Sequence, residues 1–279
     1  MARRWGAIAA GTACALLLFI IFVVIFTPSG VMRGVVERAL DNAGYSFRAT
    51  GFGKALPLGI NARNVEIGDY RGVLFRADYA EVRVRLLPLL AGKASLSYSA
   101  DLGGGRVAGT FSSGKKGEFT FALSRVRLED IPFFATATGA HVKGDLGAEG
   151  SFTVSGSNLA GKGRLEIKGL ELSGVKISGM QLPDAAYDNV RGALQVTGGK
   201  AVLESATLQG EGIYARISGD FPVMTPLGSS PLNLTLEILP KPGFLEKQKL
   251  VFLLLARYLV SPGNYRIPIQ GTLARPAIQ

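Results

Sequence analysis

His141 is the chain's single histidine and Cys14 its single cysteine. Those two counts remove most of the chemistry that 279 residues could hold. No metal site of several histidines or thiolates can be assembled, and no resident cofactor is expected. A Ser-His-Asp relay would have to use His141, which sits in Thr138-Gly-Ala-His-Val-Lys-Gly144, and no G-x-S-x-G elbow accompanies it. Glu129 and Asp130 are adjacent, so in an extended segment they point to opposite faces and do not form an acid–base pair. Asp184 and Asp188 flank Tyr187 near Pro183, in what reads as a solvated loop.

Four glycine-rich segments imitate nucleotide sites. Gly156-Ser-Asn-Leu-Ala-Gly161-Lys162-Gly163 fits the P-loop pattern until its last position, where Gly163 replaces the hydroxyl residue that would hold magnesium. The segment Gly109 to Lys116 fails at the same place. Gly103-x-Gly105-x-x-Ala108 and Gly210-x-Gly212-x-x-Ala215 imitate a dinucleotide fingerprint. That fingerprint works only where a strand turns into a helix whose N-terminus faces the pyrophosphate. Each of these leads instead into strand-like sequence, so all four are read as hairpins. An enzyme is not expected.

The elements that would position any site are mostly strands. From Gly44 to about Leu239 apolar residues recur with period two. Val82, Val84 and Leu86 alternate with Arg83 and Arg85; Phe119, Phe121 and Leu123 alternate with smaller residues. Leu165 and Ile167 flank Glu166, and Val202, Ala206 and Leu208 share parity. Leu232, Leu234, Leu236 and Ile238 form the cleanest run. Turns are expected at 103–105, 112–114, 155–158, 198–199 and 218–220, where glycine and serine cluster. Short helices are predicted over Val31–Ala43, stopped by Gly44, and over Phe244–Val260, with a last strand over Tyr265–Leu273.

Before all of these stands an apolar segment. Trp5–Phe26 has no charged residue, and as a helix at ~1.5 Å per residue it would span roughly 33 Å, enough for a bilayer core. Its bulky members (Leu16, Leu17, Leu18, Phe19, Phe22 and Phe26, after Trp5) come last, with no small-residue cleavage pattern behind them. A retained membrane anchor is therefore expected at 5–26. Arg3 and Arg4 hold the tip 1–4 in the cytoplasm, and residues 30–279 form a β-rich domain on the far side.

The formal charge of +10 comes from 31 basic and 21 acidic residues. Outside the cytoplasm nucleic acid is not the expected partner, and the basic residues lie singly along strands, as on a solvated face. The exported part has no cysteine, so no disulfide supports it.

The fold class expected is mainly β: a long antiparallel sheet after the anchor, curled as a trough or paired as a sandwich, with one or two short helices. One face of every strand is apolar, yet few helices exist to cover it. A sandwich buries that face against a second sheet. A trough leaves an apolar lining, with Val82, Val84, Phe119, Phe121, Leu165, Ile167, Leu234 and Leu236 as candidate residues, to be filled by lipid or a partner.

Three segments carry a family resemblance: Leu56-Pro-Leu-Gly-Ile-Asn-Ala-Arg-Asn-Val-Glu-Ile-Gly68, the strand pair Val82–Phe111, and Ile269-Gln-Gly-Thr-Leu-Ala-Arg-Pro-Ala-Ile278. In their order behind an anchor and a short helix, they make the chain resemble protein N of the type II secretion system (GspN) and, more distantly, the AsmA-like proteins. The resemblance implies a non-enzymatic inner-membrane accessory of the machinery that exports folded proteins, facing the periplasm and contacting other secretion subunits through exposed strand edges. The AsmA-like relationship implies instead a curled sheet with a greasy interior that binds or conducts phospholipid.

Overall fold

The computed structural model describes residues 29–279, apart from 91, 157, 175, 178, 179, 182, 183, 224–228, 274 and 279. The expected anchor at 5–26, with Arg3 and Arg4 before it, lies outside the described residues. Among those residues no helix is long and apolar enough to cross a membrane.

Helix α1 (Ser29–Asn42) ends where Gly44 adopts φ +83°, a left-handed conformation that glycine takes without steric cost. Strands β1 (Ser46–Arg48) and β2 (Gly51–Ala55) follow, then the long β3 (Gly59–Asp69) and β4 (Gly72–Val84). Helix α2 (Leu86–Leu90) leads to β5 (Ser95–Leu102), β6 (Gly105–Ser112) and β7 (Gly117–Arg127). A 3-10 turn (Leu128–Asp130) and α3 (Phe133–Thr138) precede β8 (His141–Ser155) and β9 (Asn158–Ser173). A small separate ribbon is made of β10 (Lys176–Ile177) and β11 (Met180–Gln181). Then come β12 (Ala185–Thr197), β13 (Lys200–Gln209), β14 (Ile213–Pro222) and β15 (Asn233–Pro240). Helices α4 (Pro242–Lys247) and α5 (Lys249–Leu254), a 3-10 turn (Ala256–Tyr258), β16 (Leu259–Ser261), β17 (Asn264–Thr272) and β18 (Arg275–Ile278) complete the described chain.

Sixteen of these strands belong to one antiparallel sheet, in the order β1-β3-β4-β5-β6-β7-β8-β9-β12-β13-β14-β15-β17-β16. The order is nearly the sequence order, because two- to four-residue hairpins connect most neighbours. Gly103 and Gly104 (φ +57° and +69°) turn β5 into β6, and Gly198 and Gly199 (φ +60° and +76°) turn β12 into β13. Both pairs have the positive φ values that match a hairpin turn to strand twist. The two-sheet sandwich does not form among the described residues, since the only other strands are β10 and β11.

Both ends of the sheet are finished alike. Strand β3 carries β1 against 66–68 and β2 against 59–63 on its outer side; β17 carries β16 near Tyr265 and β18 against 269–272. Each outer edge is thus divided between two short strands, a device that limits edge-to-edge pairing.

Several expectations are corrected by the structure. The helix predicted over Phe244–Val260 is broken at Gln248 and Leu255 into α4, α5 and a 3-10 turn, and its last residues join β16. Two helices that the period-two reading passed over, α2 and α3, occupy connections. Ser218-Gly219-Asp220 is not a turn but the middle of β14. Glu129 and Asp130 lie in a 3-10 turn rather than an extended segment, where Asp130 pairs with Arg127 at 2.7 Å. Asp188 is part of β12 rather than a loop.

Candidate functional site

Because side chains alternate along a strand, directly paired residues share a face. Following one row across the sheet gives Val126, Leu146, Ile167, Val190, Leu208, Ala215, Ile238 and Tyr265, all apolar. The next row, pointing the other way, reads Gly147, Glu166, Arg191, Thr207, Arg216, Glu237 and Arg266. One sheet therefore has one apolar and one charged face.

The polar face is fastened by cross-strand ion pairs: Arg76–Glu66 (2.9 Å), Arg191–Glu166 (3.2 Å) and Arg266–Glu237 (2.9 Å). The Arg191 guanidinium, hydrogen-bonded to Glu166 together with the Asn189 amide, holds the Glu166 carboxyl below its ordinary range. Hollows of ≈630 and ≈580 Å³ on this face lie between small residues such as Ala108, Thr110 and Ser151 and the longer Lys162, Arg164 and Arg191. They hold no acid–base constellation.

Nor does one arise elsewhere among the described residues. His141 is exposed at the start of β8, beside Lys143, Glu171 and Asp184, with no hydrogen bond to a carboxylate or hydroxyl. No cluster of three or more metal-ligating side chains occurs there. The glycine segments that imitate nucleotide sites lie in strands and hairpins, with no helix following any of them to receive a phosphate.

The eight candidate groove residues come together on the apolar face. Val82, Phe121 and Leu234 lie in one row, which runs from Ile60 through Val82, Tyr98, Gly109 and Phe121 and on to Leu234 and Ile269. Leu165 and Leu236 occupy the adjacent row, Ile167 the one beyond it, and Val84 and Phe119 the row on the other side. From β3 to β17 the face extends for roughly 50 Å, at ~4.8 Å per strand step.

Helical connections cover this face only at its margins. Val126, fully buried, packs with Leu128, Ile131, Val142 and Val190 beneath the 3-10 turn and α3. Helix α3 is pinned there by Thr136 Oγ1, which donates to the Val73 carbonyl at 2.8 Å, and by Phe133 stacked on Phe75 at 5.9 Å. At the far corner Phe252 of α5 packs on Tyr265 at 5.1 Å. Between the margins the face is open. Val82, Phe119 and Leu165 are 36, 37 and 41% exposed, and Val84, Phe121, Leu234 and Leu236 are half-buried, while Ile167 packs against the Val126 cluster at the covered margin. None of the eight reaches the burial of Val126.

Glycines give this open region its low relief. A Cβ on Gly109 would stand 2.4 Å from Tyr98 Oη, one on Gly150 2.4 Å from Phe121 Cε1, and one on Gly161 2.6 Å from Phe152 Cδ1. Each ring lies flat across a glycine of the neighbouring strand, filling the space that a side chain would take. Tyr98 is fixed further by donating to the Thr120 carbonyl at 3.0 Å, and burial pushes its phenol up. Tyr98, Phe119, Phe121 and Phe152 then form a chain of rings at 6.0, 5.9 and 6.2 Å. At one end of the face a cleft of ≈420 Å³ opens between α1, β3, β4 and α2, lined by Met32, Leu58, Ile60, Val82, Val84 and Leu89. Its accessible lining is wholly apolar.

No family model, curated protein or solved structure matches this chain.

The strand assignments and alternation were readable in the sequence, but two bulges were not. Arg125, at φ +52°, sits in a bulge between Leu123 and Val126, which brings the odd-numbered Phe121 and Leu123 onto one face with Val126. A second bulge at Glu204 and Ser205 does the same for Leu203 and Ala206. Val202 is thereby moved to the polar face, 40% exposed, against the parity reading. A residue of positive φ that is not glycine or asparagine carries no sequence signal, so the first bulge had none.

Proposed function

We propose that the chain is a non-enzymatic lipid-binding protein, anchored in the inner membrane by 5–26, that holds phospholipid acyl chains along the open apolar face of its sheet. The observation that carries this reading is the placement of Val82, Phe119 and Leu165 on an uncovered apolar face whose opposite side is charged. Leaving such a face in water is unfavourable, and acyl chains laid on it gain about 0.8 kcal/mol per buried CH₂ without needing any fixed polar site. The flat rings over Gly109, Gly150 and Gly161 suit a long flexible chain better than the side-chain knobs of a protein partner. In this reading the sheet curls about the lipid as a trough, and the AsmA-like resemblance points the same way.

The secretion-accessory reading takes second place, because its contacts were expected along exposed strand edges. Those edges are divided between β1 and β2 at one end and β16 and β18 at the other.

The test is photocrosslinking in cells from a probe at Leu165 or Leu234, paired with Leu165→Asp. A phospholipid adduct is expected, and Leu165→Asp keeps the wild-type unfolding free energy in urea to within about 1 kcal/mol while losing most co-purifying phospholipid. A protein adduct at both positions, with lipid content unchanged by Leu165→Asp, overturns the lipid reading and restores the secretion scaffold.

A further inference from the structure

A second apolar surface lies apart from the sheet face, on the outside of the α4–α5 segment. Phe252 is buried against Tyr265, and Phe244 meets Phe252 edge-on at 6.2 Å. Phe244 also lies directly over Gly212, where a Cβ would stand 2.6 Å from its ring. The Lys241 amide donates to the Gly212 carbonyl at 2.8 Å, tying the start of the segment to the sheet. These contacts fix which side of the segment faces the sheet.

They also fix what faces away from it. Leu250, Leu253 and Leu254 are 79, 70 and 63% exposed. Three leucines within five residues are thus presented to solvent by a segment whose aromatic residues hold it down. Lys241, Lys247, Lys249 and Arg257, all exposed, flank them in sequence, with Glu246 as the one acidic residue from 241 to 260. None of these four cations is in an ion pair with a carboxylate among the described residues. Arg257 lies over the Tyr258 ring, 4.5 Å from its centroid.

We infer that this patch inserts into the surface of an anionic lipid bilayer: Leu250, Leu253 and Leu254 enter the acyl boundary, while Lys247, Lys249 and Arg257 meet the headgroups. Exposed aliphatics flanked by exposed cations are the pattern of an interfacial element. A soluble protein partner of this patch would have to bring both an apolar pocket and an acidic rim; a bilayer containing anionic lipid supplies both. The inference is independent of what the sheet face carries, since α5 turns these leucines away from it.

The experiment uses the full-length chain in phosphatidylcholine nanodiscs, with Cys14→Ser and a nitrobenzoxadiazole fluorophore on Leu253→Cys. Vesicles of phosphatidylcholine with about one lipid in three replaced by phosphatidylglycerol are then titrated in. A blue shift and a several-fold rise in emission are expected, with binding on the order of tenfold weaker when phosphatidylglycerol is omitted or when Lys247→Glu and Lys249→Glu are combined. Emission already blue in the phosphatidylcholine nanodisc, before anionic vesicles are added, overturns the requirement for anionic lipid. The pair Leu250→Asp and Leu254→Asp abolishes the shift but leaves phospholipid on the sheet face unchanged, which separates this patch from the trough. Water-like emission at every vesicle concentration overturns the inference. So does undiminished binding by the double aspartate variant, or a protein rather than lipid adduct from a photoprobe at Leu253 in cells.

Discussion

Gly150→Ala reports directly on whether the rings of the apolar face lie under open space. The new methyl would stand 2.4 and 2.7 Å from the Phe121 ring and 3.0 Å from that of Phe152. All three contacts are with side chains, so the backbone can stay and Phe121 must lift. A phenylalanine buries at least ~150 Å²; uncovering about 60 Å² of ring at ~25 cal/mol per Å² costs about 1.5 kcal/mol. Against this, alanine restricts the unfolded chain and returns about 0.4–1 kcal/mol. The net expectation is destabilisation of about 0.5–1 kcal/mol. In a Phe121→Ala background the two shortest contacts are gone, the Phe152 ring has room to yield to the remaining one, and the same Gly150→Ala change becomes stabilising by up to about 0.4–1 kcal/mol. The assay is a double-mutant cycle in urea on the full-length chain, read from the unfolding midpoints. The reasoning predicts an inversion of sign. Gly150→Ala acting with the same sign in both backgrounds would refute it, and a cost above about 3 kcal/mol in the wild type would mean that a second layer holds the ring down.

Other outcomes follow from the same contrast between margin and open centre. Val126→Ala removes two methyl groups from a fully buried site and should cost about 2–3 kcal/mol, cavity included. Phe119→Ala removes a far larger side chain from a position 37% exposed and should cost only about 1–2 kcal/mol; a loss of more than about 3 would contradict the open face. The Glu166 carboxyl, lowered chiefly by its hydrogen bond to Arg191, should titrate by NMR below the ordinary glutamate range. Its contribution to stability is present above the unfolded-state pKa and is lost as pH falls through the lower folded-state value. Arg191→Ala should move the midpoint upward, and an unmoved midpoint would exclude that cause.

The sheet was legible because period-two alternation survives single-residue noise, and because Gly103-Gly104 and Gly198-Gly199 turn where glycine is required. Its continuity was not legible. Alternation states that each strand has an apolar side, but not whether another sheet lies against it; that depends on pairings such as Ile167 with Val190, which join distant residues. Gly219 reads as a turn residue, yet it accommodates the close approach of Asn233 inside a strand, with its Cβ position 2.2 Å from that carbonyl. The helix over Phe244–Val260 was overestimated because its leucines have helical spacing, while Phe252 and Tyr265 draw the chain onto the sheet and break it. Helix α3 escaped notice because Phe133-Phe134-Ala-Thr-Ala-Thr carries no cap or charge pattern. The groove candidates were found from parity alone, and parity failed where a bulge intervened, as at Val202.

The near-sequential strand order has a bearing on how such a chain is made. From β3 to β9 every strand is hydrogen-bonded to the one synthesised just before it, β12 pairs back to β9, and the sequential pairing holds again from β13 to β15. A chain delivered from its N-terminus can therefore assemble hairpin by hairpin, closing only short loops, without waiting for its C-terminal half. The growing margin exposes a single unsatisfied strand at any moment, and the next strand of the sheet satisfies it. Adding or deleting one hairpin would lengthen or shorten the apolar face while leaving its helical margins and paired short edge strands as they are, so the reach of the molecule is set by the number of hairpins it repeats.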